Sequence, residues 1–395
     1  MSADRTAALP DSAAPMRALL AGARRKHDSL LALTSQLVRI ESPSDAKAAV
    51  DACGDFAAQH ARSLGARVKV HRQRDCGNIL ELRFGPRARS TDNRVLLLGH
   101  IDTVWPVGTL KTMPCRIAPD DAGQLRLWGP GTLDMKAGVA MTFTAIEMLL
   151  EADLLRRELI LLLNSDEEIG SPASRPITEK LARECDAVYV LEPAQALAYK
   201  TARKGTGNWR IEVKGVAAHA GVDFEKGASA LRELARVIDT VSNWTDLKRG
   251  LTVSVGLAGG GSKTNVIPAE AWAEVDVRIA RALDGARIER KFASLKAVDR
   301  RCSLTVTGGI NRPPMERTRG TVALYQRARA LAADLGFALD EAATGGASDG
   351  NFTSALGIAT LDGMGAVGEG AHATHESILI EHLAPRTALL AAMLV

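Results

Sequence analysis

RVLLLGHIDTV, residues Arg94–Val104, is the stretch on which the fold turns. Its apolar run lacks the polar alternation of a half-exposed strand, so it reads as a strand buried on both faces, the habit of parallel sheets. The stretch ends with His100 and Asp102 two apart, and the period of two along a strand puts both side chains on one side of the chain. Outward from it, ELILLLN (Glu158–Asn164) repeats the apolar run and gives way to Asp166, Glu167 and Glu168. Adjacent carboxylates repel one another, so such a cluster is tolerated where water screens it or where a cation sits among the charges. Between the two runs, residues 135–155 read as a long, largely buried helix. ITEKLAREC (177–185) reads as another helix, and AVYVLEP (187–193) as a strand that ends at Glu192. Strand and helix in alternation predict an α/β layer, a parallel-rich sheet with helices on both faces.

Toward the N-terminus, residues 29–40 have helical spacing and stop before Pro43, a second helix spans about 45–64, and 66–72 and 78–85 are strand-like. The pattern changes near residue 204. Alternating strands at 209–215, 251–260, 271–279 and 303–309 surround only two helices, 229–243 and 285–298, which suits a four-stranded α+β unit with one sheet face covered. After NRPP (311–314) a helix at 321–336, a loop at 344–352 and a strand at 358–364 restore the α/β character. The expected organisation is therefore residues 1–203 and 314–395 as one domain, interrupted by a smaller one at 204–313.

The chain of 395 residues is long enough for two cores, and a net charge of +4 does not call for a nucleic-acid or membrane partner. Basic residues are scattered rather than striped with aromatics, which further disfavours nucleic acid. Cys53, Cys76, Cys115, Cys185 and Cys302 are widely spaced with no C-x-x-C pair, so neither a disulfide framework nor a thiolate metal site is indicated. The first residues carry proline and charge where a secretion signal needs an apolar run, and no stretch has membrane-spanning length. These features predict a cytoplasmic protein whose first two dozen residues are partly disordered.

Several residues offer chemistry. Asp134 sits in the Gly-rich turn GPGTLDMKAG directly before a helix, where it reads either as a helix cap or as a ligand. No phosphate-loop pattern is complete there. Glu167, Glu168 and Glu192 follow strand ends, where ligands bind in doubly wound sheets, and His372 and His375 lie in GEGAHATHES. Each fragment alone has a bland reading, a core histidine or a surface acid. Together, imidazoles and carboxylates without thiolate suit zinc or a similar divalent ion.

The order H-x-D, G-x-x-D-M-K-x-G, D-E-E-x-G-S, E-P, a small insert with AAHAG and a late GAHATHE resembles the zinc exopeptidase and aminoacylase family. That family includes glutamate carboxypeptidase of the carboxypeptidase G type, peptidase T, aminoacylase-1 and succinyl-diaminopimelate desuccinylase. The resemblance runs from about Leu30 to the end. It implies two Zn2+ per subunit, with Co2+ or Mn2+ as substitutes, and His100, Asp134, Glu168, Glu192 and His372 as ligands, His375 being the alternative to His372. Asp134 would bridge the ions, Glu167 would be the general base for a bridging hydroxide, and Asp102 would orient His100. The insert resembles a lid and dimerisation domain through which a homodimer forms. Its His219 would stabilise an oxyanion in the neighbouring subunit, and Arg278, Asn265, Lys204 and, beyond the insert, Gly346 would contact substrate. The implied reaction is amide hydrolysis of a small molecule or short peptide with a free carboxylate, releasing a C-terminal, glutamate-like amino acid. Aminoacylase or dipeptidase action on non-acidic residues is the close alternative, and a non-catalytic binding protein on the same scaffold the remote one.

Overall fold

The computed structural model describes residues 14–395. Contacts divide it into two units: a larger one that runs to Thr201 and resumes at Arg317–Ala342 and Leu356–Val395, and a smaller one formed by Ala202–Glu316 and Ala343–Ala355.

The larger unit is built on a six-stranded sheet in the order Arg67–His71, Ile79–Phe84, Glu158–Asn164, Arg94–His100, Ala187–Val190, Ala359–Leu361. The last four strands are mutually parallel and the first two antiparallel. Side-chain alternation divides the central strands cleanly. Val95, Leu97, Leu159, Leu161, Leu163 and Tyr189 enter one core with the helices His27–Arg39, Lys47–Ser63, Ala137–Glu151 and Leu383–Leu394. Leu96, Leu98, Ile160, Leu162, Val188 and Val190 enter another with Leu181, Ala182 and Cys185 from the helix Arg175–Ala182 and the turn after it. Each such leucine or valine removed from water stabilises the unit by roughly 1.5–3 kcal/mol, which is why unbroken apolar runs are kept at the sheet centre.

The register aligns the strand ends that carry chemistry. Arg94–His100 lies between Glu158–Asn164 and Ala187–Val190, with His100 opposite Asn164 and Leu98 opposite Val190. Residues following these three strands therefore emerge at one edge of the sheet, the carboxyl edge where ligands bind in open α/β folds. Two buried carboxylates are held by cations elsewhere in the sheet. Glu158 accepts from Arg67 at 2.7 Å and Arg94 at 2.9 Å, and Glu81 accepts from Arg83 at 2.6 Å.

Two features of this unit were not foreseen in the sequence. Of the first two dozen residues, expected to be partly disordered, Ala14–Arg25 form a helix that buries Leu19 and Ala23 in the main core, and residues 1–13 lie outside the described residues. A second sheet, ordered Gly368–Glu369, Ser377–Leu379, Leu125–Trp128, Arg116–Pro119, escaped the sequence reading because its strands are only two to four residues long. Too few residues alternate in them to register a period.

The smaller unit has a four-stranded antiparallel sheet in the order Thr252–Gly260, Glu270–Ile279, Gly205–Lys214, Ser303–Arg312. Trp209, Ile211, Val213, Ala273, Val275 and Val277 form its core with Leu234 and Val237 of the helix Ala230–Ser242 and Ile288 and Phe292 of the helix Ala282–Ala293. Residues 343–355, expected to belong with the larger domain, instead group with this unit. The cause is polar: Arg312 pairs with Asp349 at 3.0 Å, and the Asn351 amide donates to Pro313 O at 2.8 Å and Lys204 O at 3.1 Å. No apolar pattern in the sequence advertises such contacts. Among the described residues no helix is long and apolar enough to cross a membrane.

Candidate active site

Just past the carboxyl edge of the large sheet, His100 is almost fully buried. Its Nδ1 lies 3.0 Å from the backbone carbonyl of Asp102, while its Nε2 lies 3.1 Å from Asp134 Oδ1 and 3.5 Å from Glu192 Oε1. A hydrogen bond at Nδ1 fixes the ring and presents Nε2 to the two carboxylates. On the far side of Asp134, its Oδ2 lies 3.5 Å from His372 Nε2, which in turn is 3.1 Å from Glu168 Oε2. Two triads of ligand-type atoms result among the described residues, His100–Asp134–Glu192 and Asp134–Glu168–His372, each with its atoms within 4.8 Å of one another. Asp134 is common to both. His372, with φ +62, carries its imidazole into the second triad, whereas His375 is exposed and belongs to neither.

Asp102 organises the approach to this cluster. It is fully buried, accepts from Ser44 Oγ at 2.7 Å, and receives the backbone N–H groups of Glu167 at 3.2 Å and Glu168 at 3.1 Å. One residue thereby holds the His100 ring through its carbonyl and the backbone of the acidic turn through its carboxylate. Asp166 serves that turn: its Oδ2 accepts from Ala173 N at 2.7 Å and Ser174 N at 3.2 Å, ahead of the helix Arg175–Ala182. The capping alternative for Asp134 is not what is observed, since the helix Ala137–Glu151 has no side-chain cap and Asp134 faces the histidines.

The electrostatics call for positive charge. Burial opposes protonation of His100, yet Asp102, Asp134 and Glu192 together raise its pKa well above the ordinary histidine value. Hydrogen bonds from its ring to the Asp134 and Glu168 carboxylates lift His372 to about 10. Burial raises the Glu168 carboxyl, and the neighbouring Asp134 charge adds to that against the hydrogen bond from His372. Glu168 Oε1 is buried without a hydrogen-bond partner, an expensive state for a carboxylate oxygen that has nothing to coordinate. Imidazole nitrogens, carboxylate oxygens, surplus negative charge and an orphaned oxygen together fit divalent cations of the zinc class.

Sequence reasoning passed over three supporting residues. Glu376 is fully buried and accepts four N–H groups. Lys136, 1% exposed, donates its ammonium to Ile40 O at 2.6 Å, and burial lowers its pKa. Ser44 holds Asp102. Only the general pairing of buried polar groups could have flagged them, and partners 58 to 271 residues away are not visible in sequence order.

The remaining expected site residues lie in the smaller unit. His219 is exposed, forms a bridge with Val266 and accepts from Gly221 N at 3.1 Å through Nδ1. Asn265 is exposed, and its carbonyl accepts from Ala220 N at 3.0 Å. Arg278 is on the strand Glu270–Ile279 with its Nε 2.9 Å from Asp276. Lys204 bonds through its backbone to Thr344 and Asn351, and Gly346 O accepts from Arg203 at 3.3 Å.

The sequence pattern described as Peptidase family M20/M25/M40 matches residues 96–395. Carboxypeptidase G2 of Pseudomonas sp. (strain RS-16) is 28% identical over 386 residues, 95% of this chain and 91% of that protein. Succinyl-diaminopimelate desuccinylase of Delftia acidovorans is 26% identical over 379 residues, 90% of this chain and 94% of that protein. Among solved structures, the aminopeptidase PepT of Bacillus cereus superposes with a TM-score of 0.77 at 22% identity, over 93% of this chain and 98% of that one.

Proposed function

The chain belongs to peptidase family M20/M25/M40, a hydrolase family, and from that premise we propose that it is a dizinc carboxypeptidase-type amidohydrolase with Glu167 as general base. The observation that carries this reading is the double triad joined through Asp134, with the Glu167 backbone pinned beside it by Asp102. His100, Asp134, Glu192, Glu168 and His372 would hold two zinc ions. Such ions, when bound, polarise a carbonyl and lower the pKa of water. Glu167 takes the proton from the attacking water and delivers it to the nitrogen that leaves as the C–N bond breaks. Asp102 keeps the His100 ring and the Glu167 backbone in place during that exchange.

The substrate is an N-acyl or peptidyl amino acid with a free carboxylate and a glutamate-like side chain at its C-terminus. Similarity to carboxypeptidase G2 over most of both chains supports this class. By the family resemblance, Arg278 would pair with the substrate carboxylate, Asn265, Lys204 and Gly346 would line its path, and His219 of the partner subunit would steady the oxyanion of the tetrahedral intermediate. A cytoplasmic homodimer assembled through the smaller unit is part of the same proposal.

The test is release of free amino acid from a panel of N-acyl and N-aroyl substrates with acidic, apolar and basic C-termini, using zinc-reconstituted protein. Fastest turnover with C-terminal glutamate or aspartate is expected. Cleavage confined to apolar residues would move the activity to the aminoacylase class. No cleavage at full metal occupancy would remove the catalytic reading.

A further inference from the structure

Glu376 has a carboxylate whose acceptor capacity is filled without either ligand triad. Oε1 takes Leu133 N at 2.9 Å and Asp134 N at 3.0 Å; Oε2 takes Gly131 N at 2.9 Å and Trp105 Nε1 at 2.7 Å. The residue is 0% exposed. Its backbone reinforces the junction, with Gly129 N donating to Glu376 O at 3.2 Å and Glu376 N to Ala373 O at 2.9 Å. Three chain segments meet on this one side chain. Trp105 follows the His100–Asp102 strand end by three residues, Gly131–Asp134 is the turn that presents Asp134, and His372 lies four residues before Glu376 on its own loop.

We infer that Glu376 is the positioning residue that assembles the metal site, fixing the segments that carry His100, Asp134 and His372 in a single arrangement. The inference rests on the metal reading above. The turn it grips is irregular: Gly131 has φ +67, Asp134 and Met135 depart from helical geometry before the helix begins at Ala137, and Thr132 N and Lys136 N return to Gly129 O and Gly131 O while Leu133 N and Asp134 N go to Glu376. Four N–H donors aimed at two oxygens require an acceptor with no hydrogens of its own, which is an ionised carboxylate. Glutamine has nearly the same shape but turns an NH2 group toward donors, so Glu376→Gln removes the function while filling the space. Groups that orient metal ligands typically govern affinity by 10–100-fold.

The experiment compares wild type, Glu376→Gln and Trp105→Phe, each as the full chain. Zn2+ affinity is measured by competition with a chromophoric chelator, and the site's symmetry by the visible absorption of the Co2+ form, beside the melting temperature of each metal-free protein. Glu376→Gln is expected to bind Zn2+ about 10–100-fold more weakly with an altered Co2+ spectrum, and Trp105→Phe, which loses one donor of four, to weaken binding by a smaller factor. A residue that only staples the fold would lower the metal-free melting temperature and leave the folded protein's affinity and Co2+ spectrum as in wild type; that result overturns the inference. If Glu376→Gln does not fold, Trp105→Phe decides, and unchanged affinity there overturns it equally. Wild type that binds no metal would instead overturn the reading on which the inference rests.

Discussion

At the residue scale, two histidines three apart have different fates. His372 reaches Asp134 and Glu168, and His375 reaches neither triad. His372→Ala is expected to lose one of two bound zinc ions, measured by elemental analysis after dialysis, and His375→Ala to keep both. Equal losses in the two variants would contradict the assignment. The sequence offered both histidines because spacing alone does not say which side of a Gly-rich loop faces inward. Only the left-handed backbone at His372 and the returning contact of Glu376 select between them. By contrast, His100, Asp134, Glu168 and Glu192 were legible because three of them sit at the ends of apolar runs and the fourth in a turn before a buried helix. Strand register brings the three strand-end residues to one edge of the sheet, and Asp134 reaches them from its turn.

At the element scale, the helix Ala137–Glu151 lies close against the end of the Ala187–Val190 strand. A Cβ added at Gly138 would fall 2.2 Å from Leu191 O and 3.5 Å from the Gly365 Cα. Backbone does not yield as a flexible side chain does, so Gly138→Ala is expected to destabilise the fold by roughly 1–3 kcal/mol in urea denaturation and to disturb Glu192. Wild-type stability and activity in that variant would contradict the packing described. The sheet also carries an acid-sensitive pair. Burial opposes ionisation of Glu81 and Glu158, but hydrogen bonds from Arg83 and His71 with the charge of Arg83 at one, and the hydrogen bond and charge of Arg94 at the other, outweigh it and hold both below the usual carboxylate value of 4.5. A depressed folded pKa means that their contribution is present above about pH 4.5 and is lost as the pH falls through the folded value. The urea midpoint should therefore drop as the pH falls below about 4.5, with a smaller drop in Glu158→Gln. An identical drop in that variant would place the acid sensitivity elsewhere. Long apolar elements were readable because 3.6- and 2-residue periods need length to appear. The two- to four-residue strands at Arg116–Pro119, Leu125–Trp128, Gly368–Glu369 and Ser377–Leu379 had none to show.

At the scale of the whole molecule, the change from unbroken to alternating apolar runs near residue 204 marks the smaller unit, since a sheet covered on one face exposes every second side chain. The return is less visible. Residues 343–355 join the smaller unit through Arg312–Asp349 and Asn351, contacts made by polar groups that carry no period. If that unit serves assembly, sedimentation should give twice the chain mass of 41.9 kDa at micromolar concentration, and a monomer that retains full activity would remove the proposed role of His219 across subunits. The central claim is metal-assisted amide hydrolysis with Glu167 as the base. Its most direct test is turnover of an N-acyl glutamate by zinc-loaded wild type and Glu167→Ala, with bound zinc counted in both. The expected result is two zinc ions in each protein and a loss of kcat of about 10²–10⁴-fold in the variant. Equal turnover at equal zinc content would contradict the account.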